Sequence, residues 1–534
     1  MARPLLLIHG YSADGLDFLP LKKKLREKGV AAELLNVGNY ISLNNEITIR
    51  DIAEGLERAI ELVPILDGAA EFDAIVHSTG MLVVRAWLAH QRAAADVNKR
   101  LQRLKHLVGV APATWGSPQA SKGRTWLGAL VKGDKRPGPD FMNAGDKILD
   151  GLELGSKLTW DLAHMDLLGE KPYFGMGDDT PYVAVFIGNR PYEGVASVAN
   201  DPGTDGTVRW AGCGLNTRKI TLDLTRTPVG PNGQPADRVS ITDWAAGERL
   251  DVPILAVADR NHGSLISDPD DGMVERIASF LNVDNGGAFT KWLDEAKTWA
   301  EPARQAMLID PGDHAAGLAG SVKQYFGHLF HLSGKPLEGW QQFVLRARDE
   351  HGEPVTDYML QVFRWETQKD PETGNDKFDW WPCDELCTDV HAYRSDPSFR
   401  CMHIRLPEGI TGSTAPMQIR IQASTGTEVV TYQGYGTDVP PAAKVAPQPM
   451  RADSKPVIFD ITGGLGTEKA SLFHPFTTTL VEIVLNRVPY PFGDFSQIFY
   501  WIDEGGNKIP MSGRGVAGIE PTGPGSSGGT VTGG

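Results

Sequence analysis

Short uninterrupted apolar runs alternate with stretches whose apolar positions recur every three or four residues over roughly the first 285 residues. The runs Pro4–His9, Ala31–Val37, Phe72–His77, Lys105–Ala111, Tyr182–Ile187 and Pro253–Ala258 read as strands buried on both faces, as in a parallel sheet. Between them, Leu19–Lys28, Thr48–Leu62, Thr79–His90 and Gly272–Leu281 read as helices. The last follows Asp268, Asp270 and Asp271, acidic groups that suit the positive end of a helix dipole. The pattern predicts an α/β fold, a mostly parallel sheet covered by helices. Residues 116–171 interrupt it. They are helical in places (Lys147–Leu154, Leu158–Leu168), with Trp115 just before and Trp126 and Trp160 expected at the surface. Such an insertion between core strands reads as a cap or lid.

After about Gln305 the helical period gives way to β-type runs between turn signals. These are Gln341–Arg348, Tyr358–Glu366, Phe399–Leu406, Met417–Ala423, Glu428–Gln433, Pro456–Ile461, Thr477–Leu485 and Gln497–Ile502. They predict one or two antiparallel β-domains. The expected division is 1–305 for the α/β domain, 306–440 for a β-sandwich-like domain, and 456–511 for strands that stand alone or complete it. Pro440–Pro456 reads as a linker. Residues 512–534, almost entirely Gly, Ser, Thr and Pro, read as a disordered tail.

With 534 residues, several domains are the natural arrangement. A net charge of -15, with no run of lysines or arginines long enough to follow a phosphate backbone, argues against nucleic acid as a partner. No apolar stretch approaches the ~18 residues of a membrane span. The apolar run Leu5–Ile8 is too short for a secretory signal. The chain is therefore expected in the cytoplasm, or exported without a cleavable N-terminal signal; a mature secreted form would look the same. The four cysteines are too few for a disulfide scaffold. Cys383-x3-Cys387, followed by Cys401 and His403, fits no zinc pattern, so buried thiols or a disulfide are expected there, and no metal.

The chemistry begins at Phe72–Gly80. A strand runs into a tight turn at His77-Ser78-Thr79-Gly80 and then into a helix. A serine at the tip of such a turn is exposed beside the helix dipole and free backbone N–H groups, which suits a nucleophile. Ser78 also suits a plain helix N-cap. Val76 replaces the first glycine of G-x-S-x-G, and Met81 stands where a further glycine often follows.

Acyl transfer also needs oxyanion donors, a base and a carboxylate. The strand ending in His9-Gly10 leads into a loop that places the Tyr11 N–H as one donor, with the Thr79 N–H as the second. Of thirteen histidines, His262 follows the strand Pro253–Ala258 and precedes a helix, the sheet edge at which a base is expected. His314 is its nearest rival. Asp205, in Asp205-Gly206 after the penultimate strand, is the favoured carboxylate, with Asp201 and Asp259 as competitors. The order is Ser78, Asp205, His262.

The segments LLLIHGYS, IVHSTGMLVVRAW, VAPATWGSP, LELGSKLTWDL, TDGTVRWAG and NHGSL together resemble bacterial α/β-hydrolase lipases, esterases and phospholipases over residues 1–285. The resemblance implies a Ser78–Asp205–His262 triad, oxyanion donors at Tyr11 and Thr79, and ester hydrolysis through an acyl-enzyme without a cofactor. The insertion, with Trp115, Trp126 and Trp160 as substrate contacts, points to a lipid-like acyl substrate and transient contact with a membrane surface. Two other readings stand beside it: a same-fold hydrolase of a non-lipid ester, thioester or amide, and a non-catalytic protein that works through its β-region. Phe378, Trp380, Trp381 and Tyr393 read as the core and aromatic edge of that β-region, with a binding surface for a lipid interface or a glycan as the other reading; the sequence does not name the region's partner.

Overall fold

The computed structural model describes residues 3–8, 15–35, 45–90, 94–122, 145–169, 171–175, 179–192, 200–225, 239–242, 252–309, 336–370, 372–411, 413, 415–426, 430–433, 457–460, 472–489 and 500–510. Its first half contains β1 (Leu5–Ile8), α1 (Leu19–Glu27), β2 (Ala32–Leu35), α2 (Ile49–Leu62), β3 (Phe72–His77), α3 (Gly80–Ala89), α4 (Ala94–Arg103) and β4 (Leu104–Val110). It continues with α5 (Pro118–Lys122), α6 (Asp146–Leu152), α7 (Lys157–Asp166), β5 (Tyr182–Gly188), β6 (Thr217–Asp223), β7 (Val239–Thr242), β8 (Ile254–Val257), α8 (Ser264–Ser267), α9 (Asp271–Phe280) and α10 (Gly286–Met307).

Six strands form one parallel sheet in the order β2-β1-β3-β4-β5-β8. Side chains alternate across it, so each apolar run supplies two cores. Leu6, Ile8, Ala74 and Val76 join α2, α3 and the described insertion helices on one face. Leu5, Leu7 and Ile75 join α1, α9 and α10 on the other. Helix α3 is buried on every side, which explains its near-continuous apolar sequence. Helix α2 is fixed at its start by a capping box between Thr48 and Asp51.

The second half comprises β9 (Leu337–Asp349), β10 (Asp357–Lys369), β11 (Asp376–Pro382), β12 (Cys387–Ala392), β13 (Phe399–Pro407), β14 (Met417–Ser424), β15 (Val430–Gln433), β16 (Val457–Asp460), β17 (Thr477–Pro489), β18 (Tyr500–Ile502) and β19 (Lys508–Pro510). A four-stranded sheet, β11-β10-β14-β16, faces a seven-stranded one whose main path is β12-β13-β9-β17-β6-β7, with β15 paired to β17. The seven-stranded sheet is a middle layer. Phe343, Leu345, Val481 and Ile483 face the four-stranded sheet, while Trp340, Val344, Leu480 and Cys401 enter the core of the first half.

Two features depart from the expected picture. Strands β6 and β7 belong to residues before 305 yet pair into the C-terminal sheet, so this sheet crosses the expected boundary. Strand β17 runs parallel to both neighbours, β9 and β6, although the rest of this region is antiparallel. Residues 457–489 supply β16 and β17, completing the two sheets. The linker proper, the Gly-rich tail and residues 123–144 of the insertion lie outside the described residues. Among the described residues no helix is long and apolar enough to cross a membrane.

Candidate active site

Ser78 lies between β3 and α3 with φ +51°. A side chain in this left-handed region costs roughly 1–2 kcal/mol, and the turn holds it there. The Ser78 N–H donates to Val110 O, and Ser78 O accepts from Ala113 N at 2.9 Å and Met81 N at 3.3 Å. The two departures from the glycine pattern share one structural answer. Val76 pairs in register with Gly109 of β4, and a Cβ on Gly109 would meet Met81 Cε at 2.9 Å. Room at the elbow is left by the neighbouring strand. Thr79, buried and αR, caps the start of α3, where backbone N–H groups lack intrahelical acceptors. Tyr11, His9 and Gly10 lie outside the described residues.

His262 stands in the loop between β8 and α8. Its Nδ1 is 3.0 Å from Asp205 Oδ2, and its backbone N–H donates to Asp205 O. His77, directly before Ser78, contacts the same residue: its Nε2 is 3.1 Å from His262 O, and the ring centroids are 4.6 Å apart. The serine strand and the histidine loop thus meet at one sheet edge. The competing carboxylates lie elsewhere. Asp259 is exposed and paired with Arg190, and Asp201 offers its backbone oxygen to Thr204 Oγ1. His314 lies outside the described residues.

Asp205 is fully buried at the tip of a tight hairpin closed by a Thr204↔Arg209 bridge. Its Oδ1 accepts from Thr207 N at 3.0 Å and Val208 N at 2.8 Å, leaving Oδ2 for His262. Both oxygens therefore have a donor partner. Gly206 has φ +97°, and a Cβ there would lie 2.4 Å from the Tyr192 ring. The half-buried Tyr192 side chain bonds Thr207 Oγ1 through its hydroxyl, and desolvation pushes the phenol up to about 12, so it stays neutral. The Gly116-Ser117-Pro118 loop clamps the hairpin from the other side: Ser117 Oγ donates to Thr207 O and Gln119 Nε2 to Gly206 O.

The described insertion helices are fixed rather than free-standing. At the end of α6, Asp150 accepts from Tyr393 and Ser395, and Glu153 from His391 and the Arg394 N–H. Trp160, expected at the surface, is buried against Phe399 at 5.6 Å between ring centroids. Trp115 is likewise enclosed, its Nε1 donating to Gly214 O. Both indoles are packed by protein; Trp126 lies outside the described residues. All four cysteines are free, and burial pushes the Cys401 and Cys383 thiols up to about 12. Among the described residues no group of three or more His, Cys, Asp or Glu is placed to hold a metal.

The architecture is similar to that of phospholipase PlaB from Legionella pneumophila, with a TM-score of 0.65 and 18% identity over 97% of this chain and 99% of that one. The chain has the α/β-hydrolase fold. PlaB in complex with thio-NAD gives the same TM-score and identity over 96% and 99%. The mature lipase BlEst2 of Bacillus licheniformis matches this chain at a TM-score of 0.33 and 13% identity, over 52% of this chain and 92% of its own. No family model and no curated protein matches the sequence.

Sequence reasoning missed Tyr192 and Arg209. Tyr192 sits in no recognisable motif, and Arg209, though inside TDGTVRWAG, carries no residue-type signal for its role there. The only signal for Tyr192 was the need for a neighbour that forces glycine at position 206.

Proposed function

We propose that the chain is a serine carboxylic-ester hydrolase of lipase or phospholipase type, with Ser78, Asp205 and His262 as its triad. The observation that carries this is the bond between His262 Nδ1 and Asp205 Oδ2, made beside a serine held in left-handed backbone. A carboxylate on Nδ1 fixes the tautomer and leaves Nε2 as the base.

In the proposed cycle, His262 Nε2 takes the Ser78 hydroxyl proton as Oγ attacks the ester carbonyl carbon. The oxyanion is held by the N–H groups of Thr79 and Tyr11. The intermediate collapses, the alcohol leaves with the proton from His262, and the acyl group stays on Ser78. Water, deprotonated by His262, then attacks the acyl carbonyl and releases the acid. Asp205 orients the ring and stabilises the imidazolium. Likeness along the whole chain to a protein named a phospholipase supports a phospholipid ester as substrate. Such a substrate is met at a membrane surface, so transient contact there belongs to the proposal.

A fluorophosphonate probe tests the chemistry: labelling of the wild type and none of Ser78→Ala is expected. Turnover of p-nitrophenyl esters should rise with acyl length, and phosphatidylglycerol vesicles should release fatty acid. Short-chain turnover alone would remove the lipid assignment. An unlabelled wild type would leave a hydrolase fold without hydrolase chemistry.

A further inference from the structure

We infer that Arg209 is a positioning residue for Asp205, and that the β12–β13 hairpin of the C-terminal half is its anchor. The inference rests on the serine-hydrolase assignment only for what the positioning achieves.

Arg209 closes the hairpin that carries Asp205. Its backbone bridges Thr204, the Asp205 N–H donates to Val208 O, and the Trp210 N–H donates to Gly203 O. Displacing Arg209 therefore displaces the acid. Yet the side chain of Arg209 points away from the hydrolase sheet, into the second half of the chain. Its guanidinium is 1% exposed, pairs with Asp389 of β12, and donates to Cys401 Sγ of β13 at 3.3 Å. A cation this deeply buried is held by its partners, because losing one leaves charge in a poorly solvating interior.

A second contact repeats the arrangement on the other strand of the Asp205 hairpin. Gly203 has φ +71°, and a Cβ there would lie 2.6 Å from the Trp340 ring and 2.8 Å from His403 Cε1. Trp340 of β9 and His403 of β13 stack with centroids 5.1 Å apart. One strand of the acid's hairpin is thus pressed against a flat ring pair, and the other is tethered by an ion pair. Both supports come from residues more than a hundred positions downstream. The His262–Asp205 bond keeps its geometry only while the C-terminal sheet keeps its place.

The test compares Asp389→Asn, Arg209→Met and Arg209→Lys in the full chain. The Nδ1–H proton resonance of His262, identified by its loss in Asp205→Asn, reports the bond to Asp205 whether or not the protein turns over. It should move upfield or broaden in Asp389→Asn and Arg209→Met. On a p-nitrophenyl ester, kcat should fall by about 10- to 100-fold with KM unchanged, the scale of a small misplacement of a catalytic group. Arg209→Lys, which keeps the charge for Asp389, should recover part of the loss. Asp389 is half-exposed, so its variant decides the matter even if Arg209→Met does not fold. A wild-type resonance and kcat in Asp389→Asn, with only a lower Tm, would overturn the inference. A wild type that no fluorophosphonate labels would instead overturn the hydrolase assignment, and the resonance would still judge the positioning.

Discussion

Ser78, Asp205 and His262 each follow an apolar strand, and that is why the sequence could single them out as candidates. A buried parallel strand announces itself by continuous apolar sequence, and the residue just beyond its carboxyl end lies at the edge where such sheets bind ligands. The residues that hold these three were harder to find. Tyr192 acts by filling the space beside Gly206, and Arg209 by reaching a strand far along the chain; neither relation leaves a local pattern. Two variants test this scale. Asp205→Asn should lower kcat by about 10⁴-fold with the fold intact, because the imidazole loses its fixed tautomer; steady-state kinetics and circular dichroism check it. Gly206→Ala combines φ +97° with a clash on the Tyr192 ring. It should lower Tm, and kcat should fall further than the stability loss explains, since the clash moves the turn that holds the acid.

Elements were legible in proportion to their apolar contrast. Strand β3 and helices α2 and α3 match their expected spans closely, because β3 and α3 are near-continuous apolar runs and the buried residues of α2 recur at helical spacing. Helix α10 was missed although Phe289, Trp292, Ala296, Ala300, Ala303 and Met307 line one face. Alanine carries little hydrophobic signal in its second half, and Pro302 interrupts the pattern. Strand β6 offers only Ile220 and Leu222 between polar residues, and the strand that completes its pairing lies far downstream. The insertion read as a cap or lid, and its helix α6 is pinned by Asp150 and Glu153 to residues 391–395. Glu153→Ala strips a buried acceptor from His391 and the Arg394 N–H, a loss on the order of 1–3 kcal/mol. Hydrogen exchange should then quicken together in residues 146–166 and 387–407. Exchange unchanged in either segment would mean that the two are not coupled through Glu153.

At the scale of the molecule, the two halves share a sheet, and an ion cluster lies across the shared strands. Glu482 of β17 bonds Lys219 of β6 at 2.8 Å and Arg348 of β9 at 2.9 Å. Burial opposes its ionisation, but the two cations prevail and hold its carboxyl down at about 2. A carboxyl depressed in the folded state stabilises above its unfolded value and loses that contribution as pH falls towards the folded one. Glu482→Gln should therefore lower Tm at pH 7, with the gap to wild type narrowing from about pH 4.5 downwards. Truncation after Ile309 should fail more completely. It would leave β6 without β17 and expose the face of Trp210 that meets Trp340. The fragment should aggregate or run expanded on size exclusion, and a compact, probe-reactive fragment would contradict the shared-sheet architecture.

Because β6 pairs with a strand that begins roughly 250 residues later, the protein cannot finish this sheet while most of its second half is still to be translated. At about 5–20 residues per second, the edge of β6 waits on the order of 10 to 50 s after leaving the ribosome. An unpaired strand edge invites association with other chains during that interval. The same order of synthesis has a consequence for the site: Trp340, Asp389, Cys401 and His403, the support beneath Asp205, are made well after His262, so a nascent chain with every proposed catalytic residue already made would still lack the scaffold that aligns them.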